Sequence, residues 1–343
     1  MTSRIMEVYK LKKVGLGVIG LGYVGKIHLK HGMKLGNTNL VAVSDLSKRA
    51  LAAARNAGVK RTFTNYEHLL KDADVDAVII ALPTHLHLKC ATDAAEAKKH
   101  IFLEKPIARN IVEAEEIVSV TQRNAVKLMV GYPLRFNSAF RSLKENMRNR
   151  TLGDIEIAHG DYVSSGPFLH RAESHTPVPV PEWWFNKQLT GGGALVDLGV
   201  HIVNLFRWYF GEITSIKSCL GYRFNMDLED HAICLARFES GTKAVITVGW
   251  FSQDYRLEVQ LLGTVRNITA SHAPPSGLLN VARARVEMLT KGMSRFHQAH
   301  LAELQYFANC IIKDLAPSPS GEDGLKDLEA ISLAYRNSVE LKM

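Results

Sequence analysis

One lysine stands where a reactive group would meet a ligand. The chain reads Phe102-Leu-Glu-Lys-Pro106, so Lys105 directly follows an apolar stretch that predicts a buried strand. Open α/β sheets bind their ligands at the carboxyl ends of their strands, where an ammonium group can hydrogen-bond a bound oxygen. The alternative is a solvated loop lysine, since Pro106 is also favoured in the first turn of a helix.

A second stretch, from Gly191 to Asn204, places three polar side chains on one predicted helix. Asp197, His201 and Asn204 are spaced at i, i+4 and i+7, which predicts that they share a helical face. The positions between them are apolar or glycine, so the helix is expected to be buried and its polar stripe to be paired or to line a cavity. One alternative is an internal Asp–His hydrogen bond that only satisfies the core; the other is a ligand that approaches past Gly191–Gly193.

A glycine fingerprint precedes both stretches. Gly20, Gly22 and Gly25 follow an apolar strand in the spacing G-x-G-x-x-G, which is typical of a dinucleotide pyrophosphate at a helix N-terminus. A second strand ends at Asp45, twenty residues later, where a carboxylate can bind the adenine ribose. Asp45 favours NAD(H), because it would repel a 2′-phosphate, whereas Lys48 and Arg49 could tolerate NADP(H).

The surrounding elements fall into two patterns. Up to residue 131, short apolar strands alternate with helices, which predicts a parallel sheet covered on both faces. From residue 132 onward the strands are longer and adjacent in sequence, which predicts a mostly antiparallel open sheet with one strongly apolar helix inserted. The predicted fold class is α/β plus α+β, with a Rossmann domain at 1–131 and a substrate-binding and oligomerisation domain at 132–343.

Composition limits the classes of protein. A chain of 343 residues, 46% of them hydrophobic, suggests two globular domains, and no window approaches the ~18 uninterrupted apolar residues of a membrane span. The first thirteen residues have no apolar segment, so a short extra arm is expected and not a signal peptide. Four scattered cysteines without a C-x-x-C pair favour reduced thiols and a cytoplasmic protein.

The net charge of +8 does not by itself indicate nucleic-acid binding. A recognisable module, or aromatic residues interleaved with the basic ones, would be needed for that function. The densest basic cluster is expected to be the solvated face of a helix, formed by Arg141, Lys144, Arg148 and Arg150.

Four motifs in register resemble the glucose–fructose oxidoreductase/inositol dehydrogenase/MocA (Gfo/Idh/MocA) family. They are the glycine fingerprint, Pro-x-x-x-His from Pro83 to His87, Glu-Lys-Pro from Glu104 to Pro106, and Gly-Gly-Gly-x-x-x-Asp-x-Gly-x-His from Gly191 to His201. The likeness covers essentially the whole chain, and the turn Ser320-Gly-Glu-Asp-Gly-Leu325 is similar to the one before the family's last helix. One departure is Asn204, where many members carry an aspartate.

The resemblance implies an NAD(P)-dependent oxidoreductase that acts on a secondary alcohol or ketone of a sugar or cyclitol. Carried over to the matching positions, the catalytic group would be Lys105, Asp197 and His201. The expected cofactor site consists of Gly20, Gly22, Tyr23, Val24, Gly25, Asp45, Leu82, Thr84, His87, Glu104 and Lys105. The substrate would be held by the catalytic group together with Tyr132, Arg135 and the pair Trp183–Trp184; each of these four could instead be ordinary packing.

Oxidation of an alcohol needs a base for the hydroxyl proton, and His201 is the first choice. An unperturbed imidazole has a pKa of ~6.5, which suits proton transfer near neutrality. For Lys105 to be the base, its pKa of ~10.4 would have to fall about 3 units, which costs ~4 kcal/mol. Lys105 is therefore assigned to stabilise charge on the substrate oxygen, and Asp197 to orient substrate and imidazole.

Several alternatives stay open at this point. Some relatives keep a bound NAD and hydrolyse glycosidic bonds through transient oxidation, and a catalytically silent dinucleotide-binding regulator is a third class. His85 and His87 could form a metal site with His100, but no third ligand has sensible spacing, so no metal is expected. Family members are usually dimers or tetramers, and the open sheet is expected to provide that interface. The identity of the sugar is expected to depend on loops Ser164–Pro181 and Ala270–Gly277.

Overall fold

A computed structural model describes residues 13–168, 170–171, 177–178, 181–224, 226–272 and 295–339. Residues 1–12 of the predicted extra arm lie outside the described residues, as do residues 169, 172–176 and 179–180 of loop Ser164–Pro181 and residues 273–277 of loop Ala270–Gly277.

The first domain contains six parallel strands in the spatial order β3-β2-β1-β4-β5-β6. This order places β1 and β4 side by side at the centre, where the chain reverses its direction of winding, and ligands of such sheets bind at that point. The strands are β1 Val14–Ile19, β2 Thr38–Ser44, β3 Arg61–Phe63, β4 Ala77–Ile80, β5 His100–Glu104 and β6 Leu128–Gly131, and the helices are α1 Tyr23–Lys34, α2 Lys48–Asn56, α3 Tyr66–Leu70, α4 His87–Glu96 and α5 Ile111–Arg123.

The second domain contains a six-stranded sheet in the order β10-β11-β12-β7-β13-β14. Every neighbouring pair is antiparallel except β12 and β7, which run parallel. The strands are β7 Ile155–Val163, β10 Ile213–Gly221, β11 His231–Phe238, β12 Lys243–Gly249, β13 Arg256–Gly263 and β14 Asn267–Ser271, and a small separate sheet pairs β8 His170–Arg171 with β9 Pro177–Val178. The predicted mostly antiparallel sheet is confirmed, although β14 was not predicted.

The helices of this part of the chain pack on one face of this sheet or return to the first domain. They are α6 Ser138–Arg148, α7 Lys187–Thr190, α8 Val200–Phe210, α9 Arg295–Ile312 and α10 Gly321–Arg336. Helix α8 is buried along nearly all its length, as its sequence predicts. The sequence motif at Ser320 starts α10 as a capping box, in which the Ser320 side chain accepts from Asp323 N while the Asp323 carboxylate accepts from Ser320 N.

The C-terminal helices also complete the core of the first domain. Leu304, Phe307 and Ala308 of α9 pack with Phe102 of β5 and the strands around it. The domain boundary at residue 131 stays a prediction, and α9 returns in space to the Rossmann sheet.

Two features bear on the expectations about the surface, of which only the solvated basic face needs correction. Residues Lys187–Phe210 form a stretch long and apolar enough to cross a membrane by length and composition, but 83% of its most apolar window is buried inside the protein, as in a core helix. Within the basic cluster, Lys144 is half-buried: its ammonium group donates to the Trp208 carbonyl and lies 5.4 Å from the centre of the Trp208 ring.

Candidate active site

The turn between β1 and α1 has the geometry of a phosphate-binding loop. Gly20 has φ of +91°, and a Cβ on Gly25 would lie 1.9 Å from the Gly20 carbonyl oxygen, so both positions require glycine. At Gly22, by contrast, a Cβ would meet no protein atom within 4 Å, and α1 begins there without a capping side chain. Open space beside an uncapped helix N-terminus fits a pyrophosphate group.

The other predicted cofactor residues lie along the same edge of the sheet. Asp45 follows β2, where its Oδ2 accepts from Leu21 N at 2.6 Å and its Oδ1 accepts from Ser47 N at 2.7 Å. Those two bonds fix the carboxylate beside the glycine turn and leave it lone pairs for a ribose hydroxyl. The remaining members sit in the first turn of α1, after β4 or at the end of β5; they are Tyr23, Val24, Leu82, Thr84, His87, Glu104 and Lys105.

Lys105 bridges the two domains. It follows β5, and its Nζ donates to Asp197 Oδ1 at 2.7 Å and to the Asp197 carbonyl at 2.8 Å. Asp197 lies in a π-helical turn, Leu195–Gly199, that runs directly into α8 and thus into His201. The structure therefore brings together three residues that are up to 96 positions apart in the sequence, at the ligand-binding edge of the parallel sheet.

Opposite pKa shifts give Lys105 and His201 complementary charges. Burial disfavours the Lys105 cation, but the Asp197 carboxylate outweighs burial, and the pKa of Lys105 is raised. Burial, and then the charges of Lys105 and His300, lower the pKa of His201 well below its usual value. Across the neutral range Lys105 is therefore a cation, as an electrostatic partner must be, and His201 is a neutral imidazole that can accept a proton. The lowered pKa makes His201 a weaker base than a free imidazole.

The three predicted polar residues have different partners. Asp197 bonds to Lys105, whereas Asn204 Oδ1 accepts from Arg135 Nε at 2.7 Å and its Nδ2 donates to Asp327 Oδ2 at 2.6 Å. Asp197 lies in the π-helical turn before α8, and the expectation that all three residues share one face stays a prediction. No Asp197–His201 hydrogen bond occurs, so Asp197 orients Lys105 rather than the imidazole.

Two residues expected at the substrate rim are buried instead. The Tyr132 side chain is 1% exposed, and its ring stands edge to face with His201 at 6.2 Å between ring centres. Arg135 is 7% exposed and bonds to Asn204, Ser318 and Asp323. The Tyr132 ring therefore packs against the His201 imidazole, and Arg135 belongs to a buried network. A direct contact of either residue with substrate stays a prediction.

The tryptophan pair lies beside the loop that follows β4. Trp183 and Trp184 stack at 5.4 Å between ring centres, and Trp183 meets the His85 ring at 6.2 Å. Because His85 follows β4, Trp183 lies near the cofactor edge of the first domain, and its predicted contact with a sugar ring stays a prediction.

The histidines considered for a metal site have other partners. His87 has Nδ1 3.0 Å from the Pro106 carbonyl and Nε2 2.9 Å from the Leu82 carbonyl, while His100 Nδ1 accepts from Lys127 N at 3.0 Å. Among the residues that the structure describes, no group of three or more metal-ligating side chains could hold an ion. His87 instead holds the loop after β4 against the loop after β5.

Two residues that no motif revealed complete the site. Trp250 donates from Nε1 to Asp197 Oδ2 at 3.2 Å, so it occupies the second carboxylate oxygen. Tyr162 lies 5.8 Å from His201 between ring centres, and its phenol is close enough to Lys105 for each to shift the other's pKa. Tyr162 lies in β7 and Trp250 follows β12; the parallel pairing of these strands aligns Val163 with Gly249 and brings the two together.

The glycines before Asp197 serve the protein itself. The Glu229 carboxylate accepts from Gly193 N at 2.9 Å and from Leu195 N at 3.0 Å, and a Cβ on Gly193 would lie 2.0 Å from the Glu229 carbonyl oxygen. Space for a ligand is thus not needed to explain Gly193, because close packing against Glu229 already requires it.

A Rossmann edge that fits a dinucleotide, joined across a cleft to a Lys–Asp pair and a neutral histidine, defines an NAD(P)-dependent oxidoreductase. Sequence comparison gives the same class. The protein-family model described as "Oxidoreductase family, NAD-binding Rossmann fold" matches residues 14–132, and the family model "GFO/IDH/MocA C-terminal domain" matches residues 140–269. The chain belongs to the GFO/IDH/MocA oxidoreductase family, which confirms the resemblance drawn from its motifs.

Named relatives span nearly the whole chain. It is 27% identical to myo-inositol 2-dehydrogenase of Thermotoga maritima, over 95% of this chain and 96% of that protein. It is 28% identical to D-xylose 1-dehydrogenase [NADP(+)] of Haloarcula marismortui, over 95% of this chain and 91% of that protein. The fold matches scyllo-inositol dehydrogenase from Lactobacillus casei, solved with NAD(H) and scyllo-inositol, at a TM-score of 0.78 with 24% identity over 95% and 97%.

Proposed function

We propose that this protein oxidises a secondary alcohol of a sugar or cyclitol, or reduces the matching ketone, with NAD(H) as cofactor. The observation that carries the proposal is the Lys105–Asp197 pair, which connects the dinucleotide-binding edge to the turn that leads into His201. Relatives named as inositol and xylose dehydrogenases support the substrate class.

The residues divide the chemistry between them. Lys105 donates a hydrogen bond to the reacting oxygen and stabilises the negative charge that develops there. Neutral His201 takes the hydroxyl proton, and Asp197 holds the lysine ammonium in place with the help of Trp250. When bound, the nicotinamide accepts the hydride in oxidation and returns it in reduction.

The first experiment follows the absorbance of reduced nicotinamide with NAD and NADP against inositols, hexoses, glucuronides and deoxy-sugars. Net reduction with one substrate class is the expected result. Product formed without net reduction would instead indicate hydrolysis through transient oxidation. Tight NAD binding with no change in the bound cofactor on any polyol or keto-sugar would indicate a catalytically silent regulator.

The same assay tests the cofactor preference. We expect kcat/KM with NAD to exceed that with NADP at least about tenfold, because the fixed Asp45 carboxylate would repel a 2′-phosphate by ~1–4 kcal/mol. Lys48 and Arg49 are exposed one turn further on and weaken this preference. Equal values for the two cofactors would contradict it, and Asp45→Ala should move the ratio toward NADP.

We also propose that the protein forms a homodimer or homotetramer through the outer face of the second sheet. Ile233 and Leu235 of β11 are 48% and 62% exposed in the single chain, next to Val245 of β12. Paired apolar side chains of this kind favour association of two sheet faces. Light scattering should give two or four chains for the wild type and fewer for Ile233→Lys/Leu235→Glu. A monomeric wild type would refute this assembly.

The cytoplasmic location expected from the sequence stays a prediction, which cell fractionation would test.

A further inference from the structure

A buried histidine connects the phosphate-loop helix to the catalytic strand. His28 lies on α1, its side chain is 0% exposed, and its Nε2 is 2.6 Å from Glu104 Oε1. The ring is held edge to face against Phe102 of β5 at 5.0 Å between ring centres. Because α1 starts at the glycine turn and Glu104 immediately precedes Lys105, one hydrogen bond joins the two halves of the site.

The charges around Glu104 come from several elements. They are Lys105 in its own loop, His28 on α1, His87 on α4, and His300 and Glu303 on α9. Burial opposes the ionisation of Glu104, but the hydrogen bond and the charge of His28 lower the pKa of this carboxyl below its usual value. The Glu104 charge in turn contributes to the raised pKa of Lys105.

Glu303 is a buried carboxyl close to Glu104 that has no partner like His28 among the described residues, and its pKa shifts in the opposite direction. It is 0% exposed, and neither of its oxygens has a hydrogen-bond partner within the described part of the chain. Burial raises the pKa of Glu303 well above its usual value, with a further contribution from Glu104. Glu303 is therefore protonated, and Glu104 is the carboxylate that carries the charge in this region.

We propose that His28 is a positioning residue: it holds Glu104 ionised and oriented beside Lys105, and so couples the cofactor helix to the catalytic lysine. This inference rests on the proposed function and deepens it. Without the histidine, Glu104 stays buried but loses this hydrogen-bond partner, so it takes up a proton at a higher pH. Lys105 then loses the negative charge of Glu104 beside it, and the Glu104 side chain is no longer held in one position.

Three variants of the full-length protein test the role of His28. His28→Phe keeps a ring against Phe102 but removes the donor, whereas His28→Gln keeps a donor. His31→Gln is the matched control, because His31 lies one turn further along α1 and meets His297 at 5.6 Å between ring centres instead of Glu104. We expect His28→Phe to lower kcat/KM about tenfold, with His28→Gln restoring most of the loss and His31→Gln at the wild-type value.

The pH dependence separates positioning from a merely structural role. Loss of the His28 bond raises the pH at which Glu104 protonates, so the acid limb of kcat/KM should move to higher pH in His28→Phe. NADH affinity, followed by fluorescence titration at each pH, should show the same shift without any sugar present. Glu104→Gln should remove the acid limb, and adding His28→Phe to it should cause no further loss.

Wild-type pH profiles for both kcat/KM and NADH affinity in folded His28→Phe would overturn the inference. Should that variant fail to fold, the Glu104→Gln comparison decides the question, because an unchanged acid limb there would also overturn it. Failure of the proposed function is a distinct result. If no sugar or cyclitol is turned over by the wild type, a shifted pH dependence of NADH affinity in His28→Phe still supports the role of His28.

Discussion

Replacing Lys105 by Met is expected to lower kcat by about 10³-fold while NAD affinity stays close to that of the wild type. Methionine fills a similar volume but cannot donate to the substrate oxygen, and loss of one preorganised donor at a developing oxyanion costs about 10²–10³-fold. The lysine is also charged, and its ammonium is already aimed into the cleft by two bonds to Asp197. Steady-state kinetics and an NADH titration of the same preparation would measure the two effects.

Lys99→Met provides the matched control. The Lys99 ammonium group is also partly buried and also bonds to carbonyl oxygens, those of Asp72 at 3.0 Å and Val75 at 2.7 Å, but it lies at the opposite end of β5. Turnover by Lys99→Met should equal that of the wild type. Because Trp250 still donates to Asp197 in Lys105→Met, the turn before α8 should keep its shape. Wild-type turnover in Lys105→Met would rule out the proposed mechanism.

Features set by the local backbone could be predicted from the sequence. The glycine turn is one of them, because Gly20 and Gly25 are required by a positive φ and by a contact between residues five positions apart. The position of Lys105 is another, since a strand of apolar residues that ends in a polar group marks an edge of a parallel sheet. The parallel sheet itself followed from the alternation of short apolar strands with helices up to residue 131.

Features set by long-range packing could not be predicted. A 3.6-residue period assumes a regular α-helix, so it could not reveal the π-helical turn that contains Asp197. Arg135 resembled a surface arginine because its partners Asn204, Ser318 and Asp323 lie 69 to 188 residues further along the chain. Trp250 and Tyr162 became visible only through the pairing of β12 with β7.

The helix that carries His201 is anchored by the buried network that contains Asn204. Asp327 of α10 has a side chain with 0% exposure; it accepts from Asn204 Nδ2 and is paired with the Arg207 guanidinium. Burial raises the pKa of Asp327, and Arg207 and Asn204 oppose that shift. Arg207 is almost as deeply buried, at 3% exposure, and also pairs with Glu212 at 2.8 Å. Helix α8 is thus held to α10 by charges that have little access to water.

Asp327→Ala is therefore expected to reduce the free energy of unfolding by about 3 kcal/mol. Removal of one member of a buried ion pair leaves the other uncompensated, which costs ~3–5 kcal/mol, and the lower end applies because Arg207 keeps Glu212. Urea denaturation of the variant against the wild type would measure the loss. Glu329→Ala, an exposed position on the same helix, is the control and should stay within about 0.5 kcal/mol.

A second substitution distinguishes an uncompensated charge from lost packing. If the cost of Asp327→Ala is the unpaired Arg207, then Asp327→Leu combined with Arg207→Met should recover much of the stability, because apolar residues of similar volume can replace a buried pair. If the cost is packing alone, Asp327→Leu should recover the stability by itself, without Arg207→Met. A loss below about 1 kcal/mol in Asp327→Ala would contradict the anchoring role. If Asp327→Ala and the double variant fold, their turnover should fall less than that of Lys105→Met. The hydrogen bonds of the buried network do not reach Lys105 or Asp197 directly.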